Sequence, residues 1–579
     1  MHSYVPPVED YRFLMEDVLG FDAAAQELEV DIDAELAASL LEEAGRLCAE
    51  RLHPLNRHGD EEGSRLEGGE VRTPAGFTAA YREFVAGGWP SLAGDPAYGG
   101  QGLPFLLQLW LDEMMAATNL SFGLLPGLTR GASEAVAAHA DDRLKATYLP
   151  PLISGEWTGA MALTESGAGT DLALLKTRAE PNGDDSYAVH GQKIFISSGD
   201  HDFGGNIIHL VLARLPDAPA GVKGISLFLV PKFVPDRQGD FTIRNAMSVG
   251  GLEKKMGIHA QPTCVMNYDG AKGWLVGEPH RGLAAMFTMM NAERLMVGIQ
   301  GLGVAGAAYQ QAVGYAKERL QGRGASAANG PVAIIEHADV RRMLLSIRAF
   351  VEGGRALAGW VALQLDRAHR HSDAAERAEA DALVALMTPV IKAAFTDFGF
   401  ESAVQAQQVF GGHGYIREWG MEQYVRDARI AQIYEGTNGV QAMDLIGRKL
   451  GLEDGAVATR LFDRIERETR KAGEVPVAAR TAAMLTRLRK ATDYLRAADS
   501  AVAGAVATDY LRLFALVSLG WMWSQIAAAA ARGEQTPFKA AKRATADFYG
   551  YRMLTQGTSL ADSVLAGDRS HCEMVTEAF

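Results

Sequence analysis

Residues 206–215 read NIIHLVLARL, a run too short and too rich in Ile, Val and Leu for a helix, and of the right length for a buried strand. Similar apolar runs bounded by turns flank it: SYAVHG at 186–191, QKIFISSG at 192–199, GISLFLVPKFV at 224–234 and PTCVMNYDG at 262–270. They predict a small sheet or barrel between about 156 and 280. Upstream the spacing is helical, as in AELAASLLEEAGRLCAERLHPL at 34–55, where Leu40, Leu41, Ala44, Leu47 and Cys48 recur at intervals of three and four. Loops rich in Gly and Pro punctuate that region, as at 87–104. From Gly282 onward helical spacing returns, with long segments at 283–320 and 375–410. GLEDGAV at 451–457 and AGEVP at 472–476 mark a boundary before a last helical unit.

The chain has 579 residues, with 56 Lys plus Arg against 71 Asp plus Glu, a net charge of −15. That balance disfavours non-specific adhesion to nucleic acid or anionic membrane, and leaves an anionic ligand dependent on a local basic pocket. The imbalance is uneven. Residues 451–579 carry 17 Lys plus Arg and 15 Asp plus Glu, net +2, against −17 for the first 450. The basic run Arg480, Arg487, Arg489, Lys490 and Arg496 reads as a solvated helix face, with an anion contact as the alternative. Three scattered cysteines, Cys48, Cys264 and Cys572, fit a reducing compartment and form no metal-ligand pattern. The first residues lack the basic-then-apolar layout of a signal peptide, so the cytoplasm is expected. Residues 513–531, LFALVSLGWMWSQIAAAAA, run 19 positions without a charge. The length suits a membrane span, but the Ala content and the interrupting Ser518, Ser524 and Gln525 favour a buried bundle helix.

Three stretches carry candidate chemistry. Gly301, Gly303 and Gly306 match the spacing G-x-G-x-x-G, yet RLMVGIQ before them continues a helix, so close helix packing is the better reading than a dinucleotide site. MALTESGAGTDLALLKT at 161–177 places Thr164, Ser166, Thr170 and the amides around Gly167 and Gly169 in a compact loop suited to a flavin edge or a phosphate chain, a plain turn being the alternative. In QVFGGHGYIREWGMEQYVRDARIAQIYEGTNGVQAMDLIGRKL, residues 408–450, Glu435 lies between the apolar run 430–434 and Gly436, with Asn438 and Gln441 as a capping box for the next helix. A carboxylate at the end of a buried segment loses solvation, which raises its pKa toward the range of a general base, while the helix start behind it pulls the other way. A capping or surface role for Glu435 is the alternative.

The chain resembles the acyl-CoA dehydrogenases. MALTESGAGTD is similar to their flavin loop, GQKIFISSG to the strand with the second flavin contact, and QVFGGHGY with RDARIAQIYEGT to their carboxy-terminal signature, in family order across residues from about 40 to 450. The terminal extensions and EKKMGIHAQPTCVMNYDGAKGWLVGE at 253–278 are similar to a larger branch that includes the 3-(methylthio)propanoyl-CoA dehydrogenases. The resemblance implies an α+β fold: an amino-terminal helical domain at 1–157, a β-barrel-like domain at 158–281, a helical bundle with the catalytic Glu at 282–452 and an extra helical domain at 453–579.

It also implies roles. FAD would be held by Leu163, Thr164, Gly169 and Thr170, by Phe195, Ile196 and Ser197, and across a subunit interface by Arg319, Gln408, Val409, Phe410, Gly411 and Gly412, with Thr437 and Gly439 as further contacts. Gly439 stands where Gln is common in the family, and Ser197 and Phe195 stand where Thr and Trp are frequent. Thr170, Asn291, Arg294, Tyr434 and Gly436 would meet the acyl-CoA. Arg319 as a solvated charge and Arg294 as a packed one are the alternatives. Glu435 would take the α-proton of the thioester while the β-hydride passes to flavin, giving a trans-2-enoyl-CoA without a metal. In the family the base's own amide and a flavin ribityl hydroxyl polarise the carbonyl. Glu293 falls where some branches, the isovaleryl-CoA type among them, carry the base; the intact IYEGT favours Glu435. Electron-transfer flavoprotein is the expected acceptor, and a homodimer, or a tetramer, the expected assembly. A flavin-bearing DNA-associated protein of the alkylation-response type and an acyl-CoA oxidase are the alternative functions.

Overall fold

The computed structural model describes residues 2–324 and 330–579. The chain divides into two compact units, one made of Arg46–Leu103 and Thr118–Met296, the other of Met1–Gly45, Pro104–Ala117 and Val297–Phe579.

The first unit holds the sheet. Its strands are β1 (Thr158–Ala162), β2 (Arg178–Pro181), β3 (Tyr187–Ser197), β4 (Ile207–Arg214), β5 (Ile225–Pro231), β6 (Met247–Leu252) and β7 (Thr263–Val276). Pairing runs from β3 to β2, β4, β5, β7 and back to β3, a barrel-like ring in which β2 meets β4 through one pair, Arg178 with Arg214. β1 lies parallel on β4, and β6 antiparallel on β7. NIIHLVLARL is thus the strand β4, and it is buried on both faces for a physical reason. Ile208, Leu210 and Leu212 join Leu227 and Leu229 in one apolar cluster, while Ile207, Val211 and Ala213 join Phe228 and Val230 in another. The alternation of side chains along a strand splits one apolar run between two cores, each buried residue contributing about 1.5–3 kcal/mol. Helical segments cover the sheet. Gly159 in β1 admits the helix Phe105–His139 so closely that a Cβ there would lie 2.4 Å from Ala132.

The second unit is helical. Its long members are the part of the helix Gly282–Glu318 from Val297 onward, Ala338–Arg370, Ala374–Val409 and Ser500–Ala530, followed by the shorter Pro537–Phe548 and Gly557–Ala566. Gly301 and Gly303 lie inside the first of these. A Cβ at Gly301 would meet the Phe395 carbonyl at 2.4 Å, and one at Gly303 the Glu113 carbonyl at 2.5 Å, so these glycines set helix packing and hold no nucleotide. Among the described residues two helices, Ala374–Val409 and Ser500–Ala530, are long and apolar enough to cross a membrane, yet most of each apolar window is buried. The uncharged run at 513–531 packs inward, with Trp521 donating to Glu468 and Trp523 to the Ala349 carbonyl, both at 2.9 Å. Four members of the basic run of the last unit are engaged within it, and Lys490 is exposed. Arg487 pairs with Asp562, Arg489 with Asp463, Arg480 lies 3.7 Å over the Tyr551 ring, and Arg496 donates to the Gly455 carbonyl.

Candidate active site

The loop after β1 and the end of β3 lie side by side in the sheet unit. Ile194 N–H donates to the Thr164 carbonyl at 2.9 Å, tying the two segments that carry the expected flavin contacts. Leu163 and Ile196 are buried, Thr164 and Ser197 half-buried, and Gly169 and Thr170 exposed. Neither the Thr164 nor the Ser197 hydroxyl makes a hydrogen bond among the described residues. Phe195 is 59% exposed and has φ +60°, the left-handed region that a bulky aromatic residue rarely enters. Cβ atoms placed on Gly167 and Gly169 would meet nothing within 4 Å, so the loop faces open space.

What holds that loop was missed from the sequence. Lys193 in β3 is fully buried and donates to the Leu163 carbonyl at 2.8 Å and to Glu165 at 2.9 Å. Glu165 also accepts from Lys176 N–H, Thr177 N–H and the Thr177 hydroxyl. Burial pulls the Lys193 ammonium down to about 8, and Glu165 opposes that pull. Regular alternation would put Lys193 on the same face as the exposed Phe195; the register shift between Lys193 and Ile196, where Phe195 has φ +60°, separates the buried Lys from the exposed ring. The only sequence signal was this single charge inside QKIFIS.

In the same unit Glu293 is buried and packs over two glycines of the helix Phe105–His139. A Cβ at Gly131 would come within 3.0 Å of its carboxylate, and one at Gly127 within 3.9 Å. Arg294 is buried and donates to the exposed Asn291 at 3.3 Å, with its guanidinium 5.9 Å from the Phe287 ring. One turn beyond Gly131, burial pushes the Glu134 carboxyl up to about 7, against the pull of Arg130.

The helical unit carries Glu435. Tyr434, Glu435 and Gly436 are half-buried, and Glu435 has φ +55° followed by Gly436 at +85°. Two left-handed residues in succession make a sharp turn, and only the second is a glycine, so Glu435 occupies a backbone region that costs an L-residue about 1 kcal/mol. The Glu435 carbonyl accepts from the Gln441 side chain at 3.0 Å, and the Tyr434 hydroxyl bonds Gln300. Two expectations are corrected here. Residues 430–434 do not form a buried run: Ile430–Gln432 is a short 3-10 turn and Ile433, just after it, is 45% exposed, so desolvation from that segment is weaker than its apolarity suggests. The helix Asn438–Gly447 is capped by Thr437, whose hydroxyl accepts from Val440 N–H at 3.4 Å, and not by Asn438; Gln441 reaches back to the Glu435 carbonyl instead of closing a capping box. Among the described residues, a Cβ at Gly439 would have the Thr437 hydroxyl near it, at 3.9 Å, which leaves space for a larger side chain.

Gln408, Gly411 and Gly412 are exposed while Val409 and Phe410 are buried. Phe410 stacks on Tyr315 at 4.1 Å, which brings the end of the helix Gly282–Glu318 beside this loop. Arg319 follows directly, exposed, with no hydrogen bond or ion pair from its guanidinium among the described residues. Gly411 has φ +58°, and Cβ atoms on it or on Gly412 would meet nothing within 4 Å.

Family models for the N-terminal, middle and C-terminal domains of acyl-CoA dehydrogenase match residues 35–156, 160–271 and 280–451. A further model, acetyl-CoA dehydrogenase C-terminal like, matches residues 461–575. The chain is 42% identical, over 96% of each sequence, to 3-methylmercaptopropionyl-CoA dehydrogenase of Ruegeria pomeroyi. It is 31% identical, over the full length of both, to the broad-specificity linear acyl-CoA dehydrogenase FadE5 of Mycobacterium tuberculosis. The solved structure of Caenorhabditis elegans ACDH-11 in complex with C11-CoA shares the fold, with a TM-score of 0.78 at 19% identity, covering 96% of this chain and 93% of that one. With the domain models matched in order and relatives aligned end to end, the chain belongs to the acyl-CoA dehydrogenase family.

Proposed function

We propose that Glu435 is the base that takes the α-proton of an acyl-CoA thioester, in an α,β-dehydrogenation that yields a trans-2-enoyl-CoA. As a member of its family the chain is an FAD-dependent acyl-CoA dehydrogenase. Its residues suit that cofactor. An exposed Phe195 in strained backbone, with the Thr164 and Ser197 hydroxyls unpartnered among the described residues, fits a flat ring with a polar edge. The Arg319 guanidinium, without a partner among the described residues, and the open Gly411 and Gly412 loop suit a pyrophosphate held across a subunit interface, which backbone amides and a cation together favour. FAD, when bound, supplies the acceptor for the β-hydride.

The protein's own work is positioning and proton transfer. A thioester α-proton is weakly acidic, so the base must be held at the carbon and the carbonyl polarised as charge develops. Glu435 supplies the carboxylate, and its N–H polarises the carbonyl. Tyr434 and Gly436 border the acyl group, while Thr170, Asn291 and Arg294 receive the CoA portion. The observation that carries the assignment is the left-handed Glu435: a strained, half-buried carboxylate in a turn fixed by Gln441. Glu293 is the alternative base.

The 42% identity to a 3-methylmercaptopropionyl-CoA dehydrogenase supports 3-(methylthio)propanoyl-CoA or a related acyl-CoA as substrate. Electron-transfer flavoprotein is the proposed acceptor, in the cytoplasm. A homodimer is proposed through the exposed Val404, Tyr415, Ile416 and Trp419 around the Gly411 loop. Glu435→Gln tests the central claim. It is expected to retain FAD and to lose roughly two to four orders of magnitude in dye-coupled turnover. Retained turnover there, with loss in Glu293→Gln, moves the base to Glu293.

A further inference from the structure

Behind the Glu435 turn the helix Ala374–Val409 presents a polar face inside an otherwise apolar bundle. Lys392 is fully buried. Its ammonium donates to the Gly436 carbonyl at 2.7 Å and to the Asn438 side-chain carbonyl at 2.9 Å. One turn on, Asp397 accepts from Asn438 and from Gln432, both at 2.7 Å, and Thr396 bonds Asn438 at 3.0 Å. The loop is therefore gripped on both sides of Glu435 by one helix face, with Gln441 holding the Glu435 carbonyl from the other direction.

A lysine in such a place is costly to bury, and an apolar side chain would fill the space with less penalty. What the ammonium does there is specific. The carbonyl of Gly436 belongs to the second of the two left-handed residues, and its direction sets the peptide plane between Gly436 and Thr437, which closes the turn just beyond the Glu435 carbonyl that Gln441 holds. Without a donor behind it, that plane is free to rotate, and the Glu435 side chain turns with the backbone that carries it.

We propose that Lys392 is the positioning residue of the proton-transfer step: it acts through the Gly436 carbonyl and Asn438 to hold the turn that aims the Glu435 carboxylate. The inference rests on Glu435 being the base. Lys392 touches neither substrate nor flavin in this role, so its loss falls on the geometry of C–H cleavage at the α-carbon and spares binding.

The test uses the FAD-loaded full-length enzyme, an acyl-CoA deuterated at either the α- or the β-carbon, and anaerobic bleaching of the flavin. Lys392→Met is expected to keep stoichiometric FAD, bind acyl-CoA within about threefold of the parent, and bleach roughly 10- to 100-fold more slowly, the scale for a misplaced catalytic group. The α-deuterium effect is expected to grow relative to the β-deuterium effect, a change that general loosening does not produce. Bleaching within twofold of the parent, equal slowing of both isotope effects, or a parallel loss of acyl-CoA affinity overturns the proposal. Asn438→Ala leaves the lysine in place and removes its second anchor. It is expected to show the same α-selective signature at about a 5- to 10-fold loss, so a poorly folding Lys392→Met does not remove the test, and an unchanged isotope pattern in Asn438→Ala overturns the proposal. Glu435→Gln, run in parallel, separates the two claims. Parental bleaching in Glu435→Gln defeats the base assignment, whereas a dead Glu435→Gln beside a parental Lys392→Met defeats only the role of Lys392.

Discussion

Replacing Lys542 with Met should strongly weaken the helical unit. Lys542, on the helix Pro537–Phe548, is 1% exposed and pairs with Asp10 and, at 2.9 Å, with Glu352. Asp10 also pairs with Arg355, which in turn grips Glu113 through three contacts, and Tyr11 donates to Glu113 at 3.2 Å. Burial raises the Asp10 carboxyl, but Lys542 and Arg355 together hold it below the usual carboxylate range. Removing one cation from such a cluster leaves buried negative charge under-compensated, a loss of about 3–5 kcal/mol. With a urea slope of roughly 3 kcal/mol per M, the midpoint should fall by about 1–1.7 M. The fluorescence of Trp521 and Trp523, both buried in the same unit, reports the transition. Asp10→Asn together with Lys542→Met should lose less than the sum of the single changes, by about 1–3 kcal/mol, because Arg355 retains Glu113 and Glu352 retains Arg348 at 2.7 Å. A midpoint shift under about 0.3 M for Lys542→Met, or strict additivity in the double variant, refutes the reasoning.

Burial lowers His201 to about 3 and His209 to about 4, so both stay neutral in the fold while the unfolded chain protonates near 6.5. Their contribution is therefore complete above pH 6.5 and is lost as pH falls toward 4; at pH 5 each should remove about 2 kcal/mol, and His209→Gln should flatten the acid slope of the urea midpoint by one such share. Lys193→Met, which frees the Leu163 carbonyl and strips Glu165 of its cation, should weaken FAD retention by roughly ten- to a hundredfold in a flavin-binding titration; unchanged affinity refutes the support role. Gly303→Ala forces a Cβ to within 2.5 Å of the Glu113 carbonyl and should destabilise the helical unit by about 1–3 kcal/mol in the same urea assay, a result that a wild-type midpoint contradicts.

The order of helix, sheet and helix was legible because hydrophobic periodicity is local: NIIHLVLARL needs only its own ten residues to read as a strand, and the structure adds that both its faces are buried. The glycines at 301 and 303 were legible for the same reason, since the helical spacing around them ruled out a strand-and-turn site. The apolar look of residues 430–434 misled, because composition does not reveal that the chain after the 3-10 turn Ile430–Gln432 leaves Ile433 at the surface.

The sequence by itself determined that a sheet-forming stretch lies between helical ones, and which loops carry the family's motifs, but it split the strand Tyr187–Ser197 into two runs and left out Thr158–Ala162, Arg178–Pro181 and Met247–Leu252. Only the tertiary structure decided what steadies those loops. Lys193 lies 30 positions from the carbonyl it holds, Lys392 lies 44 from its own, and Asp10 meets Lys542 across 532. Secondary structure follows from the spacing of neighbours along the chain, but a buried charge persists only beside the partner that folding delivers, and no local pattern encodes which distant group that is.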